Sequence, residues 1–434
     1  YNYKLEFEIK DGKGNIKENK YEKVISELKG EFEYLNGKRW NGKVKEYYYE
    51  EGTLKYEGEY LDGKRNGKGK EYYKNGKLEY EGEYLDGERN GKGKEYFQNG
   101  KLKFEGEYLE DYKWTGKGYN YYGELDYEIK DGNGIIKDYF YDGILRFQAM
   151  YINGKINGKG KKYDYYGRLE YEGEYLNQEK NGKGKEYYKN GKLKFEGEFL
   201  EDKKWNGKGY NYNGELEYEM KDGNGNIKEY YYDGSLIFEG IYIKGKKNGK
   251  GKEYSYYDSK LEYEGEYLNG VKNGKGKKYF KNGKLEFEGE FLKNKKWNGK
   301  GYNYYGKLEY EMKDGNGNIK EYDKVDGALK FEGIYINGER NGKGKEYYDN
   351  DILKYEGEYL DGERNGKGKE YYKNGKLKFE GEYFKDKKWN GKQIEYYKNG
   401  NIKFEGEYIN GEKNGKIKEY YKNGKLKFEG EYIN

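Results

Sequence analysis

The stretch KGKEYYKNGKLEYEGEY, Lys68 to Tyr84, decides the fold. Two alternating runs flank Asn75-Gly76, and Asn-Gly between such runs is the strongest short hairpin signal. A type I′ turn needs positive φ at both central residues, and its twist matches the strands it joins. Pairing outward from that turn places Tyr73 opposite Leu78, Glu71 opposite Tyr80, Gly69 opposite Gly82 and Gly67 opposite Tyr84 on one face. Lys70 opposite Glu81 and Lys68 opposite Glu83 fall on the other. One face is mostly aromatic and glycine; the other is largely a Lys/Glu ladder that faces water and fixes register. A second, longer turn, LDGKRNG at Leu61 to Gly67, links one hairpin to the next, so the chain reads as a meander of antiparallel strands.

The glycine of the EGEY or EGEF phrase returns every 24 residues within regular stretches, at Gly58, Gly82 and Gly106, at Gly173 and Gly197, and at Gly406 and Gly430. A fixed period of this size means that each unit is one supersecondary element that must stack on its neighbours to bury its apolar surface. The expected fold is all-β: an elongated repeat rod of about eighteen antiparallel β-hairpin units forming a single twisted meandering sheet. Gly58, Gly82, Gly106, Gly173, Gly197, Gly265, Gly289, Gly357, Gly381 and Gly406 are expected to form packing notches that receive aromatic rings of neighbouring strands. No 3.6-residue apolar period supports a helix, and the absence of Pro suits strands paired on both sides.

Composition bounds the function. Hydrophobic residues are 33% of the sequence and charged residues 39%, a balance that leans toward disorder until 62 Tyr, 17 Phe and 5 Trp are counted as large buriable surfaces. A net charge of +5 from 87 basic and 82 acidic residues argues against a nucleic-acid binder. With no Cys and no His, thiolate and common zinc sites and the usual general base are missing. No apolar run approaches a membrane span, no signal-peptide pattern opens the chain, and the compartment does not follow from the sequence. Tyr1 in place of Met points to a processed product or a portion of something longer.

A larger period overlies the first. Trp114, Trp205, Trp297 and Trp389 are spaced 91, 92 and 92 residues apart, each entering what reads as a lengthened turn such as DKKWNGKG at Asp202 to Gly209. After the first three comes a shortened unit in which Ile129, Met220 or Met312 replaces the anchor glycine and the loop contracts to DGNG; Ile9 repeats that substitution near the start. Residues 1–434 thus form one continuous array with super-repeats over roughly 9–129, 129–220, 220–312 and 312–406. The four tryptophans mark either bends or regularly spaced contacts with another rod.

DGNGNI at Asp222 and at Asp314 begins like a calcium loop but lacks Gly at the sixth position and, in the first copy, Glu at the twelfth; a tight turn explains it. GKGK lacks the spacing of a phosphate loop. No carboxylate pair stands out as acid and base, so no catalytic residue, metal ligand or cofactor is assigned. At the ends, Tyr1, Tyr3, Leu5 and Phe7 and, at the other end, Leu426, Phe428 and Tyr432 lie in second-strand patterns, and an unpaired strand is a template for another chain. Pairing between these ends would join copies into a filament.

The phrase GKGKEYYKNGKLKFEGEYLDG and its variants resemble MORN repeats, most closely the MORN-variant repeats of bacterial and viral proteins, with the pattern E-Y-Y-x-N-G-x-L-x-x-E-G-x-Y-x-x-G. The resemblance covers nearly the whole chain and implies a β-hairpin rod acting in scaffolding, self-association or attachment near membranes. Some variant repeats carry Trp where Gly69 stands here, which makes this face shallower. The resulting expectation is a non-enzymatic structural or scaffold protein whose main partner is itself, through end-to-end and lateral contacts. Other proteins are possible partners, anionic lipid is the alternative, reached through lysine tracts such as Lys244 to Lys252, and nucleic acid is excluded.

Overall fold

The computed structural model describes residues 15–17, 28–29, 31–35, 38–48 and 52–432. Tyr1, Tyr3, Leu5, Phe7 and Ile9 lie outside them. Among the described residues, apart from one 3-10 turn at Asp349–Asp351, the regular elements are strands. Two compact bodies divide the chain, residues 1–217 and 218–434.

In the first body, each strand from Glu31–Leu35 to Lys203–Tyr210 pairs antiparallel with the next. The second body holds an eight-stranded meander from Gly225–Tyr230 to Leu308–Met312 and a ten-stranded one from Gly317–Tyr322 to Leu426–Tyr432. Between these two runs the contracted loop closes through a single bridge, Lys313 with Asn316, and Lys221 with Asn224 forms the equivalent bridge earlier. The shortened units at Met220 and Met312 therefore interrupt the ladder, whereas at the first Ile129 and Lys130 still pair with Gly134 and Asn133.

Strands Lys64–Tyr72 and Leu78–Leu85 show the register that the alternation dictates: Gly67 opposite Tyr84, Lys68 opposite Glu83, Gly69 opposite Gly82, Lys70 opposite Glu81 and Glu71 opposite Tyr80. At the turn the pairing differs from expectation. Tyr72, not Tyr73, faces Leu78, after a register shift. Gly76 N–H donates to the Tyr73 carbonyl at 2.8 Å and Tyr73 N–H to the Lys77 carbonyl at 2.9 Å, and of the three tip residues only Gly76 has positive φ, at 78°. This is a three-residue tip, a type I turn closed by a glycine bulge, rather than the two-residue type I′ turn. Asn75 keeps negative φ because its side chain accepts from Lys77 N–H at 3.1 Å, which a type I corner permits.

The type I′ geometry stands at the other end of the strand. Leu61 pairs with Lys64, and between them Asp62 and Gly63 have φ of 52° and 76°. The segment read as a longer turn is the tight one, and RNG belongs to the strand, where Gly67 at φ 72° forms a bulge opposite Glu59. The tryptophan turns are corrected in the same way. Leu109 pairs with Tyr112 around Glu110 and Asp111, both at positive φ, so the turn keeps two residues. The strand is one residue shorter than in an ordinary unit: Gly106 pairs with Gly116 where Gly82 pairs with Gly93, so Trp114 and Thr115 occupy the place of Asn90, Gly91 and Lys92 and the bulge shrinks. Registers slip by one at Trp114, Trp205, Trp297 and Trp389.

The core is the aromatic and glycine face. Tyr56, Tyr80, Phe104, Phe195, Tyr263, Phe287, Phe331, Tyr355 and Phe379 are fully buried. At Gly58, Gly82, Gly173, Gly265 and Gly357 the ring in the notch comes from the same strand, two residues before the glycine, not from a neighbouring one. Residues i and i+2 share a face, and the Tyr80 ring leans along its strand over Gly82 and across to Gly93 of the next, where a Cβ on either glycine would stand. Edge-on contacts then link the rings, Tyr80 to Tyr84 at 5.6 Å and Tyr80 to Tyr108 at 5.3 Å.

Candidate functional site

Each face of the sheet has its own chemistry. On the aromatic face, Ile156 and the tryptophans aside, the residue before the Asn-Gly of the strand start is a cation, as in Arg65, Arg89, Lys272 and Arg364. It lies over the buried ring: Arg65 Cζ is 4.1 Å from the Tyr56 centroid, Arg89 4.2 Å from Tyr80, Lys272 Nζ 4.3 Å from Tyr263 and Arg364 4.3 Å from Tyr355. The same cation pairs with the glutamate of an EY dipeptide: Arg65 with Glu46 at 3.0 Å, Lys272 with Glu253 at 2.8 Å, Arg364 with Glu346 at 2.5 Å. Around Glu186, burial opposes ionisation, but Lys204 and Lys180 outweigh it and bring its pKa down to about 2. Glu346 is also lowered to about 2; burial opposes this, and Arg364 and Tyr359 prevail. The aromatic face is thus sealed by its own side chains.

On the opposite face, the glycines form a floor. Pairing aligns Gly160, Gly173, Gly184, Gly197 and Gly207 in a row across five strands. Lys159, Glu174, Lys183 and Glu198 rise on one side of that row and Lys161, Glu172, Lys185 and Glu196 on the other. They flank an open groove of about 1030 Å³. The second body repeats it 91 to 92 residues on, with a floor of Gly240, Gly251, Gly265, Gly276, Gly289 and Gly299 and a volume of about 1080 Å³.

Both walls are held rigid. The Tyr187 hydroxyl donates to Glu172 at 2.6 Å and is the main cause of that carboxyl's lowered pKa; burial opposes it and Lys161 adds to it. On the other wall, Glu174 accepts from the bulge amide of Lys183 at 2.9 Å, and Glu83 accepts from Lys92 and Glu266 from Lys275 in the same way. Along each wall charge alternates from strand to strand.

The residues singled out by spacing are placed as follows. Gly58, Gly82, Gly173, Gly265 and Gly357 each underlie the ring two residues earlier and face a glycine across the ladder, while at Gly106, Gly197, Gly289 and Gly381 a Cβ would meet the backbone of the adjacent Trp-bearing strand first. Gly406 is shallower, with Gln393 and Ile417 as its cross-strand neighbours. Trp114, Trp205, Trp297 and Trp389 are half-buried. The Trp114 carbonyl accepts from Gly132 N–H at 2.7 Å and its indole covers that glycine; Trp297 does the same with Gly315, and Trp389 packs on Gly411 and Phe384. Leu426 and Phe428 are half exposed, and Tyr432 pairs with Gly415. In the lysine tract, Lys252 pairs with Glu239 at 3.3 Å and Lys247 with Glu253 at 3.4 Å. Asp222 and Gly223, at φ 52° and 72°, form a two-residue turn whose Asn224 side chain donates to the Asp222 carbonyl. Among the described residues, no group of Asp and Glu is arranged to hold a metal ion.

The MORN repeat pattern matches residues 56–77, 80–101, 147–164, 238–256, 263–284, 331–351 and 355–376, and the MORN repeat variant matches 41–62, 180–201, 389–410 and 413–434. Together they cover just over half of the chain. It belongs to the MORN repeat family. The MORN repeat is non-catalytic, and such repeats commonly act by contact with proteins or membrane lipids. No curated protein matches this MORN chain. Among solved structures, TcdB2-TccC3 without its hypervariable C-terminal region is 9% identical over 98% of this chain and 25% of that chain, with a TM-score of 0.14. The Photorhabdus luminescens Tc holotoxin pore is 10% identical over 96% and 25%, also at 0.14. The chain spans about a quarter of those chains, and a superposition that weak carries no structural argument.

Proposed function

We propose that this MORN array is a non-enzymatic scaffold that associates with further copies of itself laterally, through the face that carries the Lys/Glu ladder. The observation that carries this reading is the paired geometry of that face: two one-residue-wide walls of strand-alternating charge flank a glycine-floored groove, and the arrangement occurs in both bodies. Residues i and i+2 of a strand are separated by about 7 Å, so the groove is as wide as a wall is thick. Laid face to face with an offset of one strand, two copies seat a wall of each in the groove of the other and set every Lys against a Glu. The contact is isologous. The aromatic face offers no comparable drive, since its rings are already covered by Arg and Lys.

Sedimentation velocity at micromolar protein tests the lateral contact. Association at low salt that weakens as salt rises is the expected result, because exposed ion pairs are screened over about 8 to 10 Å. A strictly monomeric chain at every salt concentration overturns the reading.

A further inference from the structure

Ordinary hairpin tips in this chain read Lys-Asn-Gly, with the preceding aromatic ring buried, as at Tyr188 and Phe280. Three consecutive tips of the first body depart from that rule. They read Asn120-Tyr121-Tyr122-Gly123, Phe140-Tyr141-Asp142-Gly143 and Asp164-Tyr165-Tyr166-Gly167. At each, one phenol ring stands out into solvent: Tyr122 is 69% exposed, Tyr141 64% and Tyr166 74%. Beneath them lies a packed aromatic base. Tyr121 contacts Phe97 at 5.6 Å and covers Gly143, while Tyr165 contacts Phe140 at 5.5 Å, Tyr141 at 5.6 Å and Tyr166 at 5.9 Å. The tips are also braced by hydrogen bonds from their neighbours, Asn99 Nδ2 to the Tyr121 carbonyl at 3.0 Å and Lys101 Nζ to the Tyr122 carbonyl at 2.8 Å.

We infer that these three exposed tyrosines form a binding platform for a linear, uncharged, β-linked polysaccharide. Successive tips are separated by two strands, roughly 10 Å, which is close to the length of one disaccharide unit in an extended β-1,4-linked chain. Flat sugar faces carry axial C–H groups that lie against aromatic rings, and a rigid phenol supplies large contact area with few torsions to freeze, plus a hydroxyl for the sugar edge. A periodic surface calls for a periodic partner. Charge excludes phosphate-bearing polymers: Arg168 over Tyr166 is paired with Asp164 at 2.6 Å, and Asp142 sits beside Tyr141, so no uncompensated basic track runs along the tips. The surface lies along the hairpin-tip edge and is separate from the ladder face.

Calorimetric titration of the whole chain with cellohexaose and with chitohexaose tests this inference and distinguishes a glucan from an N-acetylated source. Binding of at least one, in the sub-millimolar range, is expected. A variant carrying Tyr122→Ser, Tyr141→Ser and Tyr166→Ser is expected to lose at least tenfold in affinity with unchanged circular dichroism. A control carrying Leu85→Ser, Leu109→Ser and Leu176→Ser, exposed leucines on the opposite edge, is expected to bind as the parent does. No heat with either sugar at millimolar concentration overturns the inference, as does undiminished binding by the tyrosine variant. So does finding that the tyrosine substitutions abolish self-association in sedimentation, which would assign these rings to contact between copies.

Discussion

The Arg89 guanidinium lies 4.2 Å above the Tyr80 ring, and that ring in turn lies over Gly82 and Gly93. Glycine, ring and cation form a three-layer stack that recurs along the array, so a single sheet covers its own apolar side without a second layer. Each stack depends on the absence of a Cβ, on ring burial worth about 1.5 to 3 kcal/mol, and on a cation whose charge is shared with a nearby carboxylate.

Gly82→Val is expected to destabilise the array by about 2 to 3 kcal/mol, because its Cβ would stand 2.7 Å from the Gly93 Cα and 2.6 Å from the Tyr80 Cζ. Lys70→Ala, on the opposite face, should cost no more than about 0.5 kcal/mol, since Lys70 is half exposed and lies 3.6 Å from Glu81. Denaturant unfolding of the two variants compares them directly.

Arg364→Ala removes both the lid on Tyr355 and the partner of Glu346. Lys354, at 3.5 Å, remains as that carboxylate's ion-pair partner. A loss of about 2 to 3 kcal/mol is expected, short of the roughly 3 to 5 that a fully buried pair would give. Arg364→Lys should recover part of the loss, because the stack uses Lys in the same place at Lys272.

Glu186 and Glu346 have folded pKa values lowered to about 2 from an ordinary 4.5. A lowered carboxylate pKa contributes stability that is fully present above 4.5 and is lost as pH falls toward the folded value. Stability should therefore be flat with respect to these groups near neutrality and decline between about pH 4.5 and 2, as followed by circular dichroism. Glu186→Gln combined with Glu346→Gln should reduce that decline.

Gly76 has φ of 78° and open space around its Cβ position, so substitution there reports backbone strain alone. Gly76→Val is expected to cost about 1 to 2 kcal/mol, and Gly76→Asn clearly less, because Asn enters the left-handed region more readily. Thermal unfolding of the two variants separates these cases.

Much of this architecture is legible in the alternation itself. Lys70 opposite Glu81 and Glu71 opposite Tyr80 follow from a period of two and a turn near Asn75-Gly76, and the structure has both. Turn type is not legible from that dipeptide, because Asn-Gly serves a two-residue type I′ turn and a type I corner with a glycine bulge equally well. Reading the type I′ turn at Asn75-Gly76 also turned Arg65 into a loop residue. Once Asp62-Gly63 is the turn, Arg65 becomes the second residue of a strand, facing Tyr60 and reaching over Tyr56. The signal was present as a cation shortly before every strand-opening Asn-Gly, but its meaning requires the strand boundary. Likewise the tryptophans read as a lengthened turn, and only the ladder shows that the turn keeps two residues and that the first rather than the second glycine of the strand meets Gly106 or Gly289.

Mixing charge-swapped variants in sedimentation velocity tests the proposed ladder contact most directly. One variant carries Lys183→Glu and Lys185→Glu, the other Glu172→Lys and Glu174→Lys, each first shown by circular dichroism to retain its strands. Each variant alone is expected to associate more weakly than the parent at low salt, and an equimolar mixture to recover association. Mixtures that behave as the sum of their components, or variants that associate as strongly as the parent, would contradict a contact made through the charged walls of the glycine-floored groove.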